Sequence, residues 1–205
     1  MSMATRITKT LLNSWLWVFK KDDGWEDFLR TINREKTPPT EAQLAGLQYE
    51  ATLNAHLNGD AIPTDHKWHD CITYMADELW GAAQQVTLYR PITVDGEDMV
   101  VHGVLDFLKA GHIWDCKFSQ RYASHNSVNA YMGDTQHSAY LYLVPESRDF
   151  TYFISDGNYV YRERYTPEET TPIEYYIHNF LQFVKLHGLY EVYKEKWRID
   201  DGAIH

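Results

Sequence analysis

The chain has 205 residues, 44% of them hydrophobic and 15% aromatic, with no shift in composition along its length, so it reads as one domain over residues 1–205 with one substantial core. A net charge of -10 lowers the expectation of phosphate binding without removing it, because carboxylates gathered around a metal contribute to such a balance and local basic residues such as Arg30, Arg34 and Lys36 survive within it. No apolar run is long enough to span a bilayer, the start MSMATRITKT lacks an apolar h-region, and Cys71 and Cys116 are too few for a disulfide framework or a four-thiolate site, so a cytoplasmic protein with no membrane partner and two buried cysteines is expected.

Residues 1–40 form an N-terminal segment with two apolar-faced helices, TLLNSWLWVF and WEDFLRTI, separated by KKDDG and ended by Pro38-Pro39. Thr40 followed by Gln43 is a capping-box start for a helix running to about Leu57, with Gly59 as its stop, and a further helix is predicted over His66 to Trp80. From Gln84 the period changes to two. VTLYRPITV, the turn Asp95-Gly96, DMVVHGVLDFL, the turn Ala110-Gly111 and HIWDCKFS predict three consecutive strands. The polar loop SQRYASHNSVN then leads to a helix over Tyr131 to Leu143, and FTYFIS and YVYRERY form a hairpin around Asp156-Gly157-Asn158. Thr171-Pro172-Ile173-Glu174 predicts a capping box with Pro at the first helical position, ahead of a stripe of Ile173, Ile177, Phe180, Leu181 and Val184. The implied class is α/β: a core of helix, three strands, helix and two strands over residues 41–165, with C-terminal helices over residues 166–205.

Within this frame GVLDFLKAGHIWDCK is unusual, because it sets two carboxylates and an amine among apolar residues. With Ala110-Gly111 as a two-residue turn, position i pairs with position 221 minus i, which puts Asp106 across from Asp115. Alternation places Asp115 and Lys117 on one face and Trp114, Cys116 and Phe118 on the other. Two readings fit the pair: solvated aspartates on an edge hairpin, or carboxylates that share a divalent cation. A slip of one residue in register would separate them. On the next helix Gln136 and Tyr140 are four apart and share a face. On the helix before the sheet, Glu50 sits among Leu47, Tyr49, Leu53 and Leu57, either as a third oxygen ligand or as a boundary glutamate.

The series Gly103-x-x-Asp106, Asp115-x-Lys117 and Gln136-x-x-x-Tyr140 resembles the motifs of the PD-(D/E)XK nuclease superfamily, in the RecB-like and Cas4-like branch that includes phage exonucleases. The likeness covers about Glu41 to Tyr165, and ITKTLLNSWLWVF is similar to the N-terminal helix of RecB-like nucleases. Leu105, not proline, precedes Asp106, as is usual for this branch, and two cysteines cannot build the four-cysteine iron-sulfur cluster of some relatives. Glu50 fits the glutamate version of the first motif, with His56 as a poorer second candidate.

The resemblance implies a restriction-endonuclease-like fold with a mixed central sheet, and a metal-dependent deoxyribonuclease acting at ends of linear DNA or on single strands. It implies Mg2+ or Mn2+ held by Glu50, Asp106, Asp115 and the carbonyl of Cys116, with Lys117 placing the nucleophile and Gln136 and Tyr140 orienting the lysine and the DNA backbone. Trp15, Trp17 and Trp25 are candidates for stacking on bases as well as for the core. A recombination or repair protein and a second copy of the chain are further expected partners. The competing class is a non-catalytic module of the same fold that binds nucleic acid or protein.

Overall fold

The computed structural model describes residues 4–122 and 130–199. In chain order its elements are β1 (Thr5–Ile7), α1 (Lys9–Trp17), α2 (Gly24–Ile32), α3 (Glu41–Leu57), α4 (His69–Leu79), β2 (Ala83–Val94), β3 (Glu97–Lys109), β4 (His112–Phe118), α5 (Gln136–Leu143), β5 (Asp149–Ser155), β6 (Val160–Tyr165), α6 (Ile173–Leu186) and α7 (Tyr190–Lys196). None of the helices among the described residues is long and apolar enough to cross a membrane.

The predicted core order is present, and local chemistry explains it. Thr40 and Gln43 make both bonds of the capping box that starts α3. Ala110 and Gly111 both adopt positive φ, 51° and 80°, the mirror-image turn whose twist matches that of the flanking strands. Three expectations are corrected. The N-terminal segment is not helical throughout: Thr5–Ile7 pairs in parallel with Met99–Val101 of β3, a strand too short to show a period and defined only by the edge it joins.

The helix expected from Tyr131 begins at Gln136. The Asp134 carboxylate accepts the Gln136 amide at 2.7 Å, and Asn13 accepts the Thr135 amide at 2.9 Å, so side chains satisfy the backbone where a helical turn would otherwise have to start. Thr171 caps nothing, and Pro172 holds the cap position itself with an extended backbone. The capping box of this region is Thr166 with Glu169, on a short 3-10 turn at Pro167–Glu169. Of the predicted polar loop, residues 123–129 lie outside the described residues.

The six-stranded sheet is mixed, in the order β1-β3-β4-β5-β6 with β2 also on β3. β2 runs antiparallel along β3 from Val94–Glu97 to Ala83–Leu108, so the other edge of β3 is shared: β1 takes Met99–Val101 and β4 takes Phe107–Lys109. β4 and β5 pair in parallel along their whole length. A large core including Leu11, Phe28, Phe150, Phe180 and Tyr193 unites α1, α2, α5, α6 and α7 on one side of the sheet. A smaller core of Tyr49, Leu53, Trp68, Ile72, Met75, Phe107, Cys116 and Phe153 seats α3 and α4 on the other. Both cysteines are buried thiols, as expected.

Candidate active site

Between the last β1 pair, Ile7–Val101, and the first β4 pair, Phe107–Trp114, the shared edge of β3 has no ladder partner. The strands form a fork there, and the acidic residues stand in it. The ladder keeps the register of the predicted hairpin, and Asp106–Asp115 is the position just beyond its last pair. Asp106 Oδ2 instead accepts the amide hydrogen of Cys116 at 3.0 Å, a side chain replacing a backbone partner. Asp115 is 2% exposed. Lys117 Nζ lies 2.6 Å from its Oδ2 and donates to Gln136 Oε1 at 3.2 Å, while Gln136 Nε2 donates to Asp115 Oδ1. Asp115, Lys117 and Gln136 thus close a ring; Asp115 and Lys117 share a face, as alternation predicted, and Cys116 and Phe118 turn toward the small core.

Tyr140 is placed differently from the expectation. Its hydroxyl donates to the Val104 carbonyl at 2.8 Å, and its ring lies against Gly103, where an added Cβ would come within 2.7 Å of Tyr140 Cε1 and 2.8 Å of Leu143 Cδ1. The glycine of the first motif and the tyrosine of the third are therefore one packing unit that seats α5 on β3. Tyr140 fixes the strand bearing Asp106; the ammonium is oriented by Gln136. His137 points into the core and stacks on Tyr165 at 4.4 Å, and burial pushes it down to about 4, so it is neutral at physiological pH.

Glu50 is half-buried on α3 and accepts a hydrogen bond from Gln85 Nε2 at 3.3 Å, while Leu47 beside it is 57% exposed and forms no part of an apolar face. The His56 ring engages the Asp60 carbonyl at 2.9 Å, which ties it to the end of α3. Of the three tryptophans, Trp15 is buried against Phe180, Trp25 packs on Phe28 and Phe183, and only Trp17 borders the cleft over the site. Of the basic residues noted in the sequence, Arg30 pairs with Asp27 at 2.5 Å and lines the cleft over the site, and Arg34 lies over Trp197.

Two contributions escaped sequence reasoning. Lys9, the first residue of α1, brings Nζ to 3.9 Å from Asp115 Oδ1 and over the Tyr140 ring. Nothing local marks it, since it reaches the site only because β1 joins β3 and α1 starts at the mouth of the fork. Glu163 of β6, 7% exposed, accepts from the amides of Ala130 and Tyr131 at 3.0 and 3.2 Å and from the hydroxyls of Tyr122 and Tyr165. It anchors the chain that leads into α5.

Burial first, and then the neighbouring Asp115 charge, push the Asp106 carboxyl up to about 8. Burial pulls Lys117 down, but Asp115 outweighs it and holds the ammonium above the ordinary lysine range. For Lys9 burial prevails and lowers it, against the attraction of Asp115. The fork therefore holds more carboxylate charge than Asp106 sustains in its ionised form. Asp106 and Asp115 are hard oxygen donors of the type that suits a divalent cation, with Asp115 also engaged by Lys117, Gln136 and Lys9. A third carboxylate does not close around them: among the described residues no three His, Cys, Asp or Glu side chains converge on one point. Glu50 acts on Asp106 by its charge, not by contact.

A cleft of about 990 Å³ opens over Lys9, Lys117 and Gln136, and runs past Asn13, Trp17 and Lys21. No family model and no curated protein matches the chain. Solved structures do, among them two that match over most of its length. SSO0001 is 14% identical with a TM-score of 0.51, the match covering 91% of this chain and 78% of SSO0001. LHK-Exo, an exonuclease solved in complex with dAMP, is 14% identical with a TM-score of 0.51, covering 93% of this chain and 92% of its own. The chain has the restriction-endonuclease-like fold shared by these structures, as its motif series implied.

Proposed function

We propose that the protein is a divalent-metal-dependent deoxyribonuclease that hydrolyses phosphodiester bonds at DNA ends or in single strands. The observation that carries this reading is the fork, where Asp106 and Asp115, from two strands, stand beside Lys117 and the helical Gln136, and the last two line a cleft. Asp106, Asp115 and the Cys116 carbonyl would hold Mg2+ or Mn2+, with Glu50 from α3 adding its charge beside Asp106, and the ion would supply Lewis-acid activation of the phosphate and of water. Asp115 and Gln136 fix the Lys117 ammonium so that its charge faces the cleft, where negative charge develops on the phosphate. Lys9 adds a second ammonium on the same wall, and Lys21 extends the positive side of the cleft. These groups recognise a backbone and do not read bases, which supports weak sequence preference and strong inhibition by salt. That LHK-Exo was solved with a bound nucleotide supports a nucleic-acid substrate.

The test is incubation of the purified protein with end-labelled linear, circular and single-stranded DNA in Mg2+, Mn2+ or EDTA. Linear DNA should be degraded progressively from an end, closed circular duplex should resist, and EDTA should abolish cleavage. Undiminished activity in EDTA sinks the metal mechanism, and discrete bands from a circular plasmid indicate an endonuclease. The second reading, a module of this fold that binds without cutting, is favoured by one observation: both oxygens of Asp115 are already engaged by Lys117, Gln136 and Lys9. No cleavage of any substrate with either metal would select it.

A further inference from the structure

Four non-glycine residues among those described have positive φ. Asp95 and Ala110 lie in the hairpin turns and Arg34 just beyond α2, places where such a backbone is ordinary. Gln85, at φ 50°, lies inside strand β2. A side chain in this conformation costs free energy that glycine would not, and strained backbone persists where the surroundings require it.

Its surroundings are the candidate active site. The β2–β3 ladder pairs Gln84 with Phe107 and Val86 with Leu105, and the one pair missing between them is Gln85–Asp106. The register is the same on both sides, so neither strand has gained a residue. The faces of β3 exchange at that step. Leu105 belongs to the large core, yet Phe107, two residues on, belongs to the small core, and Leu108 packs against the large one. A regular strand keeps i and i+2 on one face, so β3 turns over at Asp106. The Gln85 side chain crosses to α3 and donates to Glu50 Oε1 at 3.3 Å.

We propose that Gln85 is a positioning residue of this site: its left-handed backbone lets β3 turn over so that Asp106 enters the fork, and its amide holds the Glu50 carboxylate toward Asp106. The inference rests on the metal-dependent reading above. A glutamine at a position suited to glycine supplies the amide as well as the backbone conformation.

The experiment combines Mn2+ calorimetry with urea unfolding in EDTA for the parent protein, Gln85→Gly, Gln85→Ala, Glu50→Ala, Asp106→Ala and the Gln85→Gly/Glu50→Ala double variant. Gln85→Gly should unfold at a urea concentration no lower than the parent and higher than Gln85→Ala, which keeps a Cβ in the left-handed position. Its Mn2+ affinity should fall by about tenfold, as for loss of other groups that orient a ligand. In the Glu50→Ala background the same change should cost nothing, because Gln85 acts through Glu50. Parent-like Mn2+ affinity in Gln85→Gly, the same loss with and without Glu50, or Gln85→Ala as stable as Gln85→Gly would each overturn the assignment. Asp106→Ala separates the two levels: if it too binds Mn2+ normally, the metal-dependent reading fails, whereas if it abolishes binding and Gln85→Gly does not change it, only the role of Gln85 is lost.

Discussion

The two edges of β4 are built differently. Toward β5 it pairs from His112–Asp149 to Phe118–Ser155, and every residue of β5 is buried, so backbone and core hold that edge together. Toward β3 it pairs only from Lys109–His112 to Phe107–Trp114, and then side chains take over: Asp106 receives the Cys116 amide, and Lys117, Gln136 and Lys9 surround Asp115. A closed ladder leaves no polar group for chemistry, because each is already paired. At the open edge two carboxylates and an ammonium are held by one another and by Gln136 in place of a ladder, and the closed edge holds the strand still enough for their positions to matter.

The sharpest way to test this division is to damage each edge separately. Phe153→Ala on the closed edge removes a fully buried ring from the small core and should lower unfolding stability by about 3–5 kcal/mol, read by urea melts. Lys117→Ala on the open edge leaves Asp115 with Gln136 and Lys9 and should cost less, about 1–3 kcal/mol, with Mn2+ affinity intact and turnover reduced by about 10²–10³-fold in single-turnover DNA cleavage. Equal effects of the two on stability would erase the distinction between the edges.

Asp106→Asn probes the charge in the fork. Because Asp106 is pushed up to about 8, the folded chain keeps a proton that the unfolded chain gives up from about pH 4, so this group's contribution is most favourable below about pH 4 and is lost as pH rises to about 8. In EDTA the asparagine variant, which still has an acceptor for the Cys116 amide, should therefore gain roughly 1–3 kcal/mol over the parent near pH 8 and nothing near pH 4. An equal difference at both pH values would mean that the carboxyl titrates normally. The smallest effect expected is that of Tyr140→Phe, which removes one hydrogen bond to the Val104 carbonyl. It should cost about 1 kcal/mol in stability, with Lys117-dependent turnover largely kept, because the tyrosine holds β3 and not the ammonium.

The hairpin register, the α3 cap and the shared face of Asp115 and Lys117 were legible in the sequence, because turns, caps and alternation are settled by residues a few positions apart. Gln136 was legible as a neighbour of the lysine only through its motif, and the bond of Tyr140 to the Val104 carbonyl was not legible at all. A four-residue spacing says which helix face two side chains share, and not which strand that face meets. The N-terminal strand, Lys9 and the Glu163 anchor left no local signal.

By itself, then, the sequence determined the α/β order, the tight turns and the carboxylates flanking one of them, since each depends on short-range sterics and period. Tertiary structure alone decided that β1 shares the β3 edge with β4 and leaves a fork between them, that Lys9 arrives there beside Asp115, and that β3 turns over at Asp106 opposite Gln85. These features come from segments far apart in the chain competing for one strand edge and two cores, and no window of neighbouring residues contains that competition.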